Sequence, residues 1–293
     1  MRDHLRSRRD RRPSQGASLG GETERCKECG APRSAGPAPR SSAAEAGLEG
    51  AFEALGAVFD LGTIRHLKDR GIAQGWRCLE LGGGGSIATW LSARVGPTGG
   101  VLVANGDPGR FEALRLPNLE VRRHDLARDP LPEATFDLVH ARLVLLRVPE
   151  REAVLARLVA ALKPGGWLVD EEFETSLAPD PSLAPGEALP KTYLAMARVM
   201  DGQGVDRSFG RRLFGLLRAH GLETVGAEGQ ASMWSCHSPG APVLRAIFEH
   251  LRGEIVSGGH VTKEEFDRDV AHFSDHGFFM PSPLLWTAWG RRA

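Results

Sequence analysis

A short apolar run, WRCLEL (76–81), empties into four consecutive glycines, Gly82 to Gly85, and helical periodicity resumes over SIATWLSARV (86–95). An extended segment, a glycine turn and a helix in that order constrain the chain more than any other feature. Glycines there let the backbone reverse sharply and approach a ligand closely. Further apolar runs read as strands at VLVA (101–104), LEVRR (119–123), FDLVHA (136–141) and GWLVDEEF (166–173), with a helical stretch, EREAVLARLVAAL (150–162), before the last. Strands alternating with helices predict βαβ units and a parallel sheet, an α/β fold.

Upstream, AFEALGAVFDLGTIRHLKDRGI carries Phe52, Leu55, Val58 or Phe59, and after a break at Gly62, Ile64 and Leu67 at helical spacing, a helical lead-in to the first strand. Downstream, the pattern predicts helices at about 190–202, 209–220, 242–257 and 263–274, a strand near 222–234 and a closing strand, PLLWTAWG (283–290). Residues 1–45 have almost no large apolar side chains to offset their ordering entropy, and read as a disordered tail preceding one domain over 46–293. Within that domain, 174–208 and 238–277 exceed what a minimal sheet needs, and such excursions tend to be lids or binding loops.

Basic and acidic side chains balance at 37 each, so no global field draws nucleic acid or acidic lipid. The arginine cluster of the tail is the one local exception, and Asp3 and Asp10 interrupt it. No apolar run reaches bilayer length or forms a signal segment, which predicts a cytoplasmic protein. The cysteines at 26, 29, 78 and 236 are too few for a disulfide framework. Cys26 and Cys29 have the spacing of half a zinc site, yet no second Cys/His pair follows nearby, so no metal site is expected. Scarce lysine beside abundant arginine, alanine and glycine suggests a GC-rich bacterial genome.

The glycine loop by itself is weakly informative. A dinucleotide-binding loop would place a third glycine at position 87, where Ile87 stands, and no Gly-Lys-Ser/Thr follows for a Walker loop. Glu80, two residues before the first glycine, favours a cationic ligand such as an amino acid ammonium group. With these features, WRCLELGGGGSIATWL resembles the first motif of class I methyltransferases, which use S-adenosyl-L-methionine. The likeness extends through LVHARLVL (138–145), VPERE (148–152) and LKPGGWLV (162–169), over roughly residues 50–290. TIRHL (63–67) and SPLLWTAWGRR (282–292) make it similar to a group of bacterial small-molecule methyltransferases.

The resemblance implies a Rossmann-like, seven-stranded, mostly parallel sheet with helices on both faces, helical lid insertions and the last strand antiparallel. It implies that Glu80, Gly82, Gly83 and Gly84 line the methionine and ribose portion of the cofactor. Asp125 and Leu126 fall by the adenine, while His140, Ala141 and Arg142 fall near the sulfonium. Arg65 and His66 fall against the cofactor's carboxylate. No residue is universally catalytic in such a transfer; His140, Glu171 and Glu172 are the candidate bases, one of the two glutamates expected to face the pocket and the other the helix layer.

Two positions depart from the family pattern. Asn105 stands where an acidic residue usually accepts from both ribose hydroxyls, with Asp107 able to substitute if the chain stays extended. Ser86 stands where a third loop glycine is usual. These departures keep a second reading in play, a catalytically silent methyltransferase fold acting as a binding or regulatory protein. A nicotinamide oxidoreductase is disfavoured by Ile87. The expected partner is a small-molecule acceptor of unspecified identity; nothing in the sequence sets the oligomeric state.

Overall fold

A computed structural model describes residues 42–293, apart from Gly83, Gly84, Glu112 and residues 177–187. The cysteine pair at 26 and 29 and nearly all of the expected tail lie outside the described residues, although the first helix already begins at Ser42.

That helix, α1 (Ser42–Asp69), runs unbroken through Gly62, where the sequence predicts an interruption. A Cβ built on Gly62 would lie 2.6 Å from Gln230 Oε1, so glycine serves a close approach there and does not end the helix. Then come β1 (Arg77–Gly82), α2 (Gly85–Val95), β2 (Gly100–Asn105), β3 (Leu119–Arg123), β4 (Phe136–Arg142), α3 (Arg151–Ala161) and β5 (Leu162–Glu174). The remainder is α4 (Ala188–Gly202), α5 (Leu213–Ala219), β6 (Glu223–Gln230), β7 (Met233–Ser235), α6 (Ala241–Ser257), α7 (Lys263–Ala271), β8 (Phe279–Pro281) and β9 (Leu284–Arg291).

Seven strands form one sheet in the order β3-β2-β1-β4-β5-β9-β6. The bonded pairs among β1 to β5 are parallel, and β9 runs antiparallel to both of its neighbours. This is the Rossmann-like, mostly parallel architecture expected. The stretch read as a single strand near 222–234 is two elements, because β7 leaves the main sheet to pair with β8.

Alternation along the strands separates two cores. On one face Cys78, Leu138 and Val103 pack with Ile87, Leu91 and Val95 of α2 and Leu67 of α1. On the other, Leu79, Leu81, Val139 and Leu168 meet Val154 and Leu155 of α3 and Leu213 and Leu217 of α5. A third core joins Phe59 of α1 to Met196 of α4, Phe248 of α6 and Phe266 of α7, above the C-terminal end of β5. The two excursions thus fold as a helical cap. Thr262 and Glu265 start α7 with a reciprocal capping box. Among the described residues no helix is long and apolar enough to cross a membrane.

Candidate functional site

Strand order reverses between β1 and β4, and in open α/β sheets the crevice outside the strand ends at such a point is where ligands bind. The end of β1 is shaped for close approach. Gly82 has φ 72°, and a Cβ there would lie 2.4 Å from both Arg142 O and Val144 Cγ2, so no other residue fits without displacing the β4 strand end. A groove of about 750 Å³ opens beside it, lined by Gly82, Asn105, Asp125, Leu126 and Arg142 among others. The sequence-expected Gly83 and Gly84 lie outside the described residues.

Beneath the groove the sheet carries a buried polar network whose members come from register partners. Glu80 lies opposite His140, and Arg142 opposite Glu171, on adjacent strands. Glu80 Oε2 is 2.6 Å from His140 Nδ1, and His140 Nε2 is 3.4 Å from Glu171 Oε2. Arg142 donates to Glu171 (2.9 Å), to Asp60 (2.8 Å) and to Thr63 (2.5 Å), and Thr63 and Thr287 each donate to Glu171. Burial disfavours the His140 imidazolium, but a carboxylate on each ring nitrogen outweighs it and holds the pKa up to about 9. Burial likewise pushes the Glu80 carboxyl up, against the pull of His140 and Arg142. We assign the ionised pair, because only an imidazolium can donate from both nitrogens. For Glu171, burial is overcome by Arg142, His140 and Thr63, and its pKa falls well below the carboxylate range. Three carboxylates (Asp60, Glu80, Glu171) then face two cations (His140, Arg142), leaving one negative charge in excess.

Several expected contacts are placed elsewhere. Glu80, His140 and Ala141 are fully buried and do not line the groove. Arg65 grips Glu228 of β6 at 3.1 and 2.5 Å, and His66 packs on Trp289 of β9 at 5.1 Å between ring centroids. Both side chains are thus engaged on β6 and β9, outside the groove lining. At Asp107 the chain does not stay extended: it turns at Gly106, Asn105 Oδ1 accepts from the Asp107 amide (2.8 Å), and Asp107 Oδ1 accepts from Gly109 (3.1 Å). Asn105 itself stays on the groove. Of the two glutamates considered as bases, Glu171 belongs to the network, whereas Glu172 turns to the other face and accepts from the Val144 and Leu145 amides. Neither is exposed.

A second cavity, of about 70 Å³, lies under the helical cap, between Leu55 of α1, Tyr193 and Met196 of α4, Val243 and Ile247 of α6 and Phe173 of β5. Leu143 and Arg147 line both cavities. Leu143 has φ 56°, a left-handed conformation that costs a branched side chain about 1 kcal/mol or more and that tends to cluster at ligand sites. The sequence reading missed this residue because backbone strain leaves no residue-type signal when the residue is a leucine. It also missed a surface trio, Cys236, His237 and His276, whose ligating atoms lie within 4.8 Å of one another; the spacing of nearly forty residues between His237 and His276 hides it.

Residues 79–170 match the family model for a methyltransferase domain. The chain is 29% identical over 149 residues to the methyltransferase str2 of Strobilurus tenacellus, covering 50% of this chain and 54% of that protein. It is 33% identical over 156 residues to the ubiquinone/menaquinone biosynthesis C-methyltransferase UbiE of Pseudomonas fluorescens, covering 46% of this chain and 60% of that one. The match thus spans little more than half the length of these relatives. In fold it is similar to a candidate methyltransferase from Bacillus halodurans C-125 (TM-score 0.52, 12% identity, 78% of this chain and 97% of that one). It is also similar to the YcgJ protein of Bacillus subtilis (TM-score 0.51, 14% identity, 78% and 96%).

Proposed function

We propose that this chain is a class I S-adenosylmethionine-dependent methyltransferase that binds S-adenosyl-L-methionine in the groove at the β1/β4 reversal and methylates a small-molecule acceptor. The observation that carries this reading is Gly82, whose left-handed backbone, bare of a Cβ, lets the end of β1 pack directly against Arg142 O and Val144 Cγ2 at the mouth of that groove. The residues fit the donor on a second count. The excess negative charge of the Asp60, Glu80, Glu171, His140 and Arg142 cluster lies under the groove floor, and favours a cationic ligand over a pyrophosphate.

S-adenosylmethionine supplies a methyl group already activated on a sulfonium, so the protein's task is orientation and exclusion of water. Asn105 would meet the ribose through its side-chain amide, since its oxygen is engaged by the Asp107 amide. Asp125 and Leu126 would flank the base; Asp125 Oδ1 is fixed by the Ala127 amide (2.9 Å), and the Leu126 carbonyl by Arg157. Glu80 and His140 act as positioning residues beneath Arg142, which reaches the groove from the end of β4.

Calorimetric titration with S-adenosylhomocysteine and with NAD tests the reading. Binding of S-adenosylhomocysteine in preference to NAD is expected; equal or tighter binding of NAD would overturn it. Asn105, in place of an acidic residue, favours a second reading in which the donor is held without transfer. Absence of turnover across oxygen, nitrogen, sulfur and carbon acceptors, with the donor bound, would select it.

A further inference from the structure

The cavity under the cap has a wall and an edge of opposite chemistry. Leu55, Phe173, Met196, Val243 and Ile247 make the wall apolar, and the methionines of α4 allow it to adapt to shape. Polar character is confined to the rim near β5 and the end of β4. The Thr175 hydroxyl lies there, buried and without a hydrogen-bond partner among the described residues. A buried hydroxyl left unpaired costs about 1–3 kcal/mol, and in a cavity wall it is a place for a ligand's oxygen. Arg147, the charged residue of this lining, stands at the boundary with the donor groove, beside the strained Leu143. Among the described lining residues none carries a carboxylate or an imidazole to take a proton from an amine or an aliphatic alcohol.

We infer that this cavity is the acceptor site and that it takes an apolar compound bearing a weakly acidic oxygen, of the phenol or enol class, with its ring or chain among the cap helices and its oxygen toward Thr175 and Arg147. An O–H of that class is acidic enough to give its proton to solvent water and enter as the anion, and a guanidinium at the rim favours that anion while disfavouring a cationic amine. Continuity with the donor groove through Leu143 and Arg147 is what makes the occupant an acceptor and not a structural lipid. The inference rests on the donor assignment above.

Isothermal titration of the full-length protein with 4-butylphenol and with 4-butylbenzylamine, each with and without S-adenosylhomocysteine, tests it. The phenol is expected to bind at least about tenfold tighter than the amine. Ile247→Trp, which fills the cavity, is expected to weaken the phenol by more than about tenfold while leaving the S-adenosylhomocysteine affinity and the melting temperature near those of the parent. Thr175→Val, nearly isosteric, is expected to weaken it by about three- to tenfold. Equal affinity for phenol and amine, or phenol binding indifferent to both substitutions, would overturn the inference. Loss of S-adenosylhomocysteine binding with phenol binding intact would instead sink the donor assignment and leave the cavity's chemistry standing.

Discussion

Glu80 and His140 face each other across the first and fourth strands, both fully buried, with Glu80 Oε2 2.6 Å from His140 Nδ1. A carboxylate two residues before a glycine loop is thus paired within the sheet. Removing the Glu80 charge takes away the nearer of the two carboxylates on His140 and leaves Glu171 at 3.4 Å, a loss below the roughly 3–5 kcal/mol of a buried charge left with no partner. Glu80→Gln keeps the shape and deletes the charge, and its urea midpoint is expected to fall accordingly. The pH dependence has a definite sign. His140 is raised from an unfolded value near 6.5 to about 9, so its contribution is full below 6.5 and is lost as the pH rises through about 9. Parent protein should lose melting temperature between pH 7 and 10, and His140→Asn should lose less over that interval. Parallel curves for the two proteins would refute the ion pair.

Gly82→Ala tests the mouth of the groove. The new Cβ meets Arg142 O and Val144 Cγ2 at 2.4 Å while the backbone stays at φ 72°, and the left-handed conformation alone costs about 1–2 kcal/mol. Affinity for S-adenosylhomocysteine, measured by calorimetry, is expected to drop at least about tenfold, because the end of β4 must move to admit the methyl group. Unchanged affinity would place the donor elsewhere.

The sheet was legible because each central strand, buried on both faces, shows as a short apolar run bounded by turn residues. Gly62 misled because a glycine inside a helical pattern weakens the helix locally without revealing that Gln230, far along the chain, needs the space. β8 escaped notice because three residues carry no period. The site divides in the same way. The place of Gly82, Asn105 and Asp125 at the groove was legible since it depends on position after a strand. The partners of Arg65 and His66, Glu228 and Trp289, were not legible, because they come from strands over a hundred and fifty residues away. The pairing of Glu80 with His140 required knowing the β1/β4 register.

Asn105 now gives a sharper test than its residue type alone. Its oxygen is held by the Asp107 amide, so only the amide nitrogen is left to face the groove. Asn105→Asp keeps that oxygen contact and adds a charged acceptor for ribose hydroxyls. Affinity for S-adenosylhomocysteine is expected to rise, up to about tenfold, or roughly 1.4 kcal/mol. Asp107→Asn is expected to change it by less than about twofold, since Asp107 is turned onto Gly109. A strong loss in the Asp107 variant would mean that the strand end unwinds to present that carboxylate on binding.

Asp170 is the least comfortable carboxylate in the sheet. It is fully buried between the small side chains of Ala141 and Ala288, and neither of its oxygens has a hydrogen-bond partner among the described residues. Burial pushes its pKa up to about 7, with Glu171 adding repulsion and His140 easing it. Glu172, two residues on and on the same face, is raised for the same reason, with Asp170 as its main electrostatic opponent. The sign follows from proton linkage. A carboxyl that titrates near 3.9 when unfolded and near 7 when folded binds its proton more tightly in the native state, so stability is highest below 3.9 and declines as the pH rises toward 7. Asp170→Asn removes that titration at the cost of burying an amide, about 1–3 kcal/mol at every pH. The variant is expected to be less stable than the parent at pH 4 and to gain on it steadily up to pH 8, because relief of the charge grows while the amide cost stays fixed. Urea midpoints of both proteins across that range measure the difference. A constant gap from pH 4 to 8 would show that Asp170 stays ionised throughout, and that a partner for it forms in solution.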